Sequence, residues 1–203
     1  MARADGRLTA DLNPQDHGPQ DACGVIGIYA PGEEVSKLTY FGMYALQHRG
    51  QESAGMAVSD GRHMMVFKDM GLVSQVFDEA TLNSLQGHMA VGHTRYSTTG
   101  ASIWDNAQPT FRSRQGGDGL ALAHNGNLTN TGALEALIAE RAPDTEVPHK
   151  DRMDSSNDTS LVTALMTTYD GTLEEVAAQV LPHLQGAFSL VFMDDHTSVS
   201  YTH

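Results

Sequence analysis

The sequence predicts an α+β sandwich. After one early helical segment, short β-branched runs fill the chain as far as residue 127; three segments with apolar residues at helical spacing follow, and an apolar strand comes last. Strands grouped ahead of helices argue against the regular alternation from which a parallel sheet is built. No internal repeat and no low-complexity tract interrupts this order.

Residues 1–22 carry only Leu8 and Leu12 as large apolar groups, with Pro14, Gly18 and Pro19 as breakers, so a flexible leader is expected there. Its acidic residues exclude a secretory signal, which needs an unbroken apolar run of about 7–15 residues. The only cysteine, Cys23, stands where the leader stops. Residues 24–30 (GVIGIYA) suit a buried strand. Residues 35–48 place Val35, Leu38, Phe41 or Met43, Ala45 and Leu46 near helical spacing, and Gly50 reads as the stop after His48 and Arg49. Residues 53–60, 62–69, 88–98 and 120–127 read as strands, with a hairpin turn at Asp60 and Gly61. Residues 131–141, 158–168 and 173–181 read as helices that start near Thr, Asp and Thr, as N-capped helices do. Residues 187–194 return to strand.

At 203 residues the chain suits one domain, or one and part of a second. Twelve Lys and Arg against 25 Asp and Glu give a net charge of −13, with no basic cluster, so nucleic acid is not an expected partner. The longest apolar run, residues 187–193, is too short to cross a bilayer, so no membrane is expected either. One cysteine forms no internal disulfide, which fits a reducing compartment and makes the cytoplasm the expected location. Without Cys-x-x-Cys or a helical His pair, no metal site is expected.

A lone cysteine is most often a small core residue. Cys23 differs in position, because one cleavage between Ala22 and Cys23 would free its α-amino group. An α-amine has a pKa of about 7.7–8.0 and a thiol about 8.5, so the amine can take the thiol proton within one residue. An amide nitrogen is not basic, so the uncut chain would lack its base and the leader would keep the enzyme inactive.

Five segments, CGVIGIYAPGEEVSKLTYFGMYALQHRGQESAG (23–55), VGHTRYSTTGASIWDNAQPTF (91–111), LALAHNGNLTN (120–130), SNDTSLVTALM (156–166) and LQGAFSLVFM (184–193), together resemble the glutaminase half of the glutamine phosphoribosylpyrophosphate amidotransferases (amidophosphoribosyltransferases), class II glutamine amidotransferases of purine synthesis. The resemblance is collinear and covers nearly everything after residue 22. It implies an N-terminal-nucleophile hydrolase fold, a four-layer αββα sandwich, with residues 1–22 as propeptide and 23–203 as a partial glutaminase domain. It also implies that glutamine is hydrolysed to glutamate and ammonia.

The resemblance carries roles to matching positions. Cys23 matches the nucleophile that forms a thioester with the glutamine side chain. Arg95 matches the residue that grips the substrate carboxylate, for which a guanidinium fork is suited; a surface salt bridge is the plain alternative. Asp158 matches the partner of the substrate α-ammonium, and an N-cap role is compatible with that. Thr98 is expected to add a hydrogen bond to the amino acid. Asn125 and Gly126 match the oxyanion hole, although Asn-Gly also makes a type I′ turn. Arg49 is expected near the thiol, favouring its charged form, or else as a cation closing a helix.

Two rival patterns are weaker. His48, His93 and His124 invite a papain-like Cys-His pair, but that arrangement does not need an exposed α-amine. Asp194 and Asp195 after an apolar strand resemble a phosphoribosyltransferase signature, yet no Gly-Thr-rich phosphate loop follows, so a structural role is preferred. The glutaminase half of glucosamine-6-phosphate synthase and a catalytically silent fragment are the alternative functions.

The resemblance fades near Asp195. A complete relative would add a further strand and a phosphoribosyltransferase domain, so truncation is expected, with an unpaired, largely apolar sheet edge and poor solubility or dependence on a partner surface. No cofactor is expected in this segment. Phosphoribosylpyrophosphate, magnesium and any iron-sulfur cluster would belong to the missing region, and full-length relatives are expected to be homo-oligomers.

Overall fold

The computed structural model describes residues 23–96, 103–114, 116–143 and 158–202. Among the described residues, eight strands form two four-stranded antiparallel sheets. The first comprises β1 (Gly24–Tyr29), β2 (Ser53–Ser59), β3 (Met64–Met70) and β4 (Met89–Arg95), in the order β1-β4-β2-β3. The second comprises β5 (Thr110–Ser113), β6 (Gly119–Leu128), β7 (Gly186–Met193) and β8 (Ser198–Thr202), in sequence order. Helices α1 (Val35–Leu46), α2 (Val73–Val76) and α3 (Glu79–Ser84) cover the first sheet. Helices α4 (Thr131–Arg141), α5 (Asp158–Met166) and α6 (Leu173–Val180) cover the second. The result is the four-layer αββα sandwich.

Three apolar layers hold it together. Leu120, Leu122, Leu190 and Phe192 face Leu134, Ile138, Leu165 and Val176 beneath the second sheet. Met56, Val58 and Ala90 meet Val35, Met43 and Val73 over the first. Between the sheets the side chains are mostly small: Ala57, Val91, Ala121, Ala123 and Val191. The central strands β2, β4, β6 and β7 thus alternate between a helix-facing row and a sheet-facing row, and both rows are largely apolar because both faces are covered.

Several elements differ from the sequence expectation. The first helix ends at Leu46 and tightens into a 3₁₀ turn, Gln47–Arg49. Gly50 does not stop it through a left-handed conformation, since its φ is −160°. Gly50 is needed for close approach: a Cβ there would lie 2.6 Å from the carbonyl carbon and oxygen of Thr94. The connection between β2 and β3 runs through Asp60, whose Oδ1 accepts from the N–H groups of Arg62 and His63 at 2.8 Å. Helix α6 begins with a reciprocal capping box between Thr172 and Glu175. The short elements α2, α3, β5 and β8 were not expected, being only four to six residues long.

The expected apolar edge is corrected by β8. It pairs with β7 from Ser189↔Thr202 to Met193↔Ser198. Ser198, Ser200 and Thr202 are exposed, while Val199 and Tyr201 pack on the core, so the outer strand carries a polar row. Among the described residues no helix is long and apolar enough to cross a membrane.

Candidate active site

Cys23 immediately precedes β1, and Gly24 pairs with Thr94 near the end of β4. The Cys23 thiol donates to the carbonyl of Tyr96 and accepts from the Tyr96 N–H, both at 3.4 Å. Burial pushes this thiol above its ordinary pKa; the Tyr96 backbone contact and the Arg95 guanidinium pull it down, and the Glu52 carboxylate pushes it up. The thiol is therefore held mostly protonated at neutral pH, and attack by it requires a base close by.

Strand parity brings three of the predicted residues together. Val25 on β1, Val91 on β4, and Ala121 and Ala123 on β6 all pack between the sheets. Two-residue alternation gives Cys23, Arg95 and Asn125 that same inward sense. His93 Nε2 donates to the carbonyl of His124 at 3.1 Å, tying β4 to β6 two residues before Arg95 and one before Asn125. The three therefore converge at one end of the gap between the sheets. Arg95 is buried, not the surface cation of the plain alternative. Gly126 and Asn127 are exposed at that end.

Asn125 and Gly126 do not form a hairpin turn. Both lie within β6, paired with Ser189 and Phe188. Gly126 has φ +137°, and a Cβ there would lie 2.2 Å from the carbonyl oxygen of Ala187. Only glycine fits that backbone, which breaks the regular pleat next to Asn125.

Asp158 opens α5 and lies against the same stretch of β6. Its Oδ2 accepts from Leu128 N–H at 3.1 Å, and its Oδ1 accepts from Thr159 N–H at 2.9 Å and faces His124 Nδ1 at 3.3 Å. Arg49 Nε–H donates to the backbone carbonyl of Cys23 at 3.4 Å. That contact reaches the backbone, and the guanidinium whose charge lowers the thiol pKa is Arg95. Thr98 lies outside the described residues.

The Cys-His rival finds no support in the contacts. His48 Nδ1 donates to Ala45 O, His93 binds the carbonyl of His124, and His124 faces Thr159 and Asp158. Complete burial lowers the His93 pKa to about 3, so its ring is neutral. Asp194 and Asp195 are occupied structurally. Asp194 pairs with Arg114 at 3.4 Å and receives the N–H groups of His196 and Thr197. Asp195 Oδ2 receives Gly119 N–H at 2.8 Å, and its backbone carbonyl receives the Ser59 hydroxyl at 2.6 Å.

The sequence reading missed Tyr96, which acts through its backbone and leaves no signature in residue type. It also missed Gln108, whose Oε1 receives His124 N–H at 2.7 Å, and the electrostatic influence of Glu52. All three lie in or beside the segments that carry the resemblance. Among the described residues no cluster of three or more His, Cys, Asp or Glu side chains is arranged to hold a metal ion.

No protein-family model matches the sequence. The amidophosphoribosyltransferase of Mycobacterium bovis is 53% identical over 199 residues, spanning 94% of this chain and 36% of that protein. The amidophosphoribosyltransferase of Bacillus subtilis is 36% identical over 180 residues, spanning 88% of this chain and 36% of that protein. Among solved structures, the glutamine phosphoribosylpyrophosphate amidotransferase from B. subtilis, complexed with ADP and GMP, gives a TM-score of 0.73 at 32% identity, covering 88% of this chain and 36% of that one. A structure described as the allosteric regulatory enzyme of purine biosynthesis gives 0.75 at 33% identity, covering 88% and 37%. The chain thus spans little more than a third of these relatives' length. Over that span it is similar, in sequence and in fold, to the amidophosphoribosyltransferases.

Proposed function

We propose that this chain forms the glutaminase site of an amidophosphoribosyltransferase. It hydrolyses glutamine to glutamate and ammonia, and the ammonia serves formation of 5-phosphoribosylamine from phosphoribosylpyrophosphate in purine biosynthesis. The observation that carries the reading is the convergence of Cys23, Arg95 and Asn125–Gly126 at one end of the gap between the sheets. The similarity to amidophosphoribosyltransferases supports the same reading.

Removal of residues 1–22 exposes the α-amine of Cys23. The amine takes the thiol proton as sulfur attacks the side-chain amide carbon of glutamine. The Asn125 side-chain NH₂ and the Gly126 N–H receive the oxygen that becomes negative, and the C–N bond breaks as the leaving nitrogen takes the proton and departs as ammonia. Water then attacks the thioester carbon, its proton passes to the amine, and the thiol is restored as glutamate leaves. Arg95 holds the substrate carboxylate as a bidentate fork, Asp158 holds its α-ammonium, Thr98 adds a hydrogen bond to the bound amino acid, and Arg49 steadies the Cys23 backbone. Phosphoribosylpyrophosphate and magnesium are assigned to the portion of the relatives that this chain does not span. The reaction is placed in the cytoplasm.

Intact mass and glutamate release test this. The 203-residue chain should lose residues 1–22 and release glutamate from glutamine; Cys23→Ala should abolish release, and Cys23→Ser should process poorly or turn over far more slowly. Full glutaminase activity in Cys23→Ala would falsify the mechanism, and no glutamate from the processed chain would favour a silent fragment.

A further inference from the structure

We propose that His124 is a positioning residue, holding the Asp158 carboxylate in the orientation that receives the α-ammonium of the bound amino acid. The inference rests on the reading of Asp158 as the ammonium's partner. A carboxylate turns freely about its last torsion unless both oxygens are held. Here Oδ2 is fixed by Leu128 N–H at 3.1 Å and Oδ1 by Thr159 N–H at 2.9 Å, while His124 Nδ1 stands against Oδ1 at 3.3 Å. Two of about four acceptor directions are taken by these bonds, the His124 ring closes the approach to Oδ1, and the open direction lies on Oδ2. The side chain is 18% exposed, so a single cation can still reach it.

His124 is itself immobile. Its side chain is 2% exposed, its N–H binds Gln108 Oε1 at 2.7 Å, and its carbonyl receives His93 Nε2–H at 3.1 Å. Its ring stands edge-on to Phe188, with centroids 6.3 Å apart. A carboxylate only accepts, so beside Asp158 the ring proton sits on Nδ1, where its hydrogen bond is to Thr159 Oγ1 at 3.3 Å. Nε2 is then the bare nitrogen, which agrees with its being buried without a hydrogen-bond partner. Because His124 directly precedes Asn125, one rigid residue fixes both ends of the substrate: its backbone sets the oxyanion donors, and its ring sets the group that holds the amine.

The test compares two amides that differ in reach. An Asn amide at position 124 places its N–H near the native Nδ1, whereas a Gln amide places it near Nε2. In the processed chain, kcat and KM are measured for glutamine and for 4-carbamoylbutanoate, which is glutamine without its α-amino group. His124→Asn should keep the wild-type preference for glutamine. His124→Gln should raise the KM for glutamine about tenfold, in line with loss of one charge-assisted hydrogen bond, while kcat stays within about threefold and the analogue is unaffected. If the two variants behave alike, or if His124→Gln slows both substrates equally, the proposal is overturned. Should His124→Gln not fold, loss of the glutamine preference in His124→Asn overturns it. Asp158→Asn separates the two ideas: if it leaves that preference intact, the reading of Asp158 itself fails; if it abolishes the preference while His124→Gln does not, only the role of His124 fails.

Discussion

His93 and His124 bind one another across the two sheets, the ring Nε2–H of the first donating to the backbone carbonyl of the second at 3.1 Å. The bond crosses a layer lined by Ala57, Ala121 and Ala123, where the small side chains bring the strands close enough for a ring to span the gap. It also fixes the registry between β4, which carries Arg95, and β6, which carries Asn125 and Gly126. The buried ring therefore belongs to the scaffold of the site, although it is not assigned a chemical step.

Stability should fall in acid because of His93. Its folded pKa is lowered to about 3 against an ordinary 6.5. Between those values the unfolded chain binds a proton that the native state refuses, so this contribution is complete above about pH 6.5 and is lost as pH falls towards about 3. The slope approaches about 1.4 kcal/mol per pH unit in that window. Urea unfolding at pH 7 and pH 5 measures it. His93→Gln should show a weaker decline than the parent; equal declines would refute the assignment.

The Cys23 thiol should ionise late. Burial raises its pKa in the folded chain, and the Arg95 charge opposes that rise. Alkylation by iodoacetamide in the uncut chain should follow a midpoint above the value of about 8.5 for a free cysteine, and Arg95→Gln should move the midpoint higher still. A midpoint below 8.5 would contradict this account.

Gly126→Ala should be costly before any catalysis is considered. The added methyl meets the Ala187 carbonyl at 2.2 Å in a backbone with φ +137°. A loss of about 2 kcal/mol or more is expected, lowering Tm by about 5 °C or more. An unchanged melting curve would mean that β6 does not need this backbone geometry.

Asn125→Ala removes one proposed oxyanion donor. The expected result is a fall in kcat of about 10²–10³-fold, with KM for glutamine changed far less. A variant with raised KM and unchanged kcat would assign Asn125 to ground-state binding instead.

Asp194 lies at the opposite end of the second sheet from Asn125. Asp194→Ala leaves the partly buried Arg114 without its carboxylate partner and should cost about 1–3 kcal/mol. KM for glutamine, measured at a temperature where the variant remains folded, should not change. A rise in KM with stability intact would give Asp194 a ligand-binding role.

The apolar runs of β2, β4, β6 and β7, the helical spacing of α1 and the N-cap at Thr172 are local properties, and each was legible in the residues themselves. So was the placement of Cys23 at the boundary between a polar leader and an apolar strand, since that depends only on neighbouring composition. What the chain alone did not disclose is which local features meet. That β4 inserts between β1 and β2, that Asn125–Gly126 continues a strand instead of turning, and that His124 reaches Asp158 all depend on packing between segments far apart in sequence. The short elements α2, α3, β5 and β8 escaped notice for a related reason: four to six residues hold too little periodicity to stand out, and neighbouring layers stabilise them. Residue types thus determined the available chemistry, a thiol, guanidinium groups, a carboxylate and an amide. Tertiary structure decided their distances and exposure, because burial and hydrogen bonding across the sheets arise only once both sheets have closed on one another.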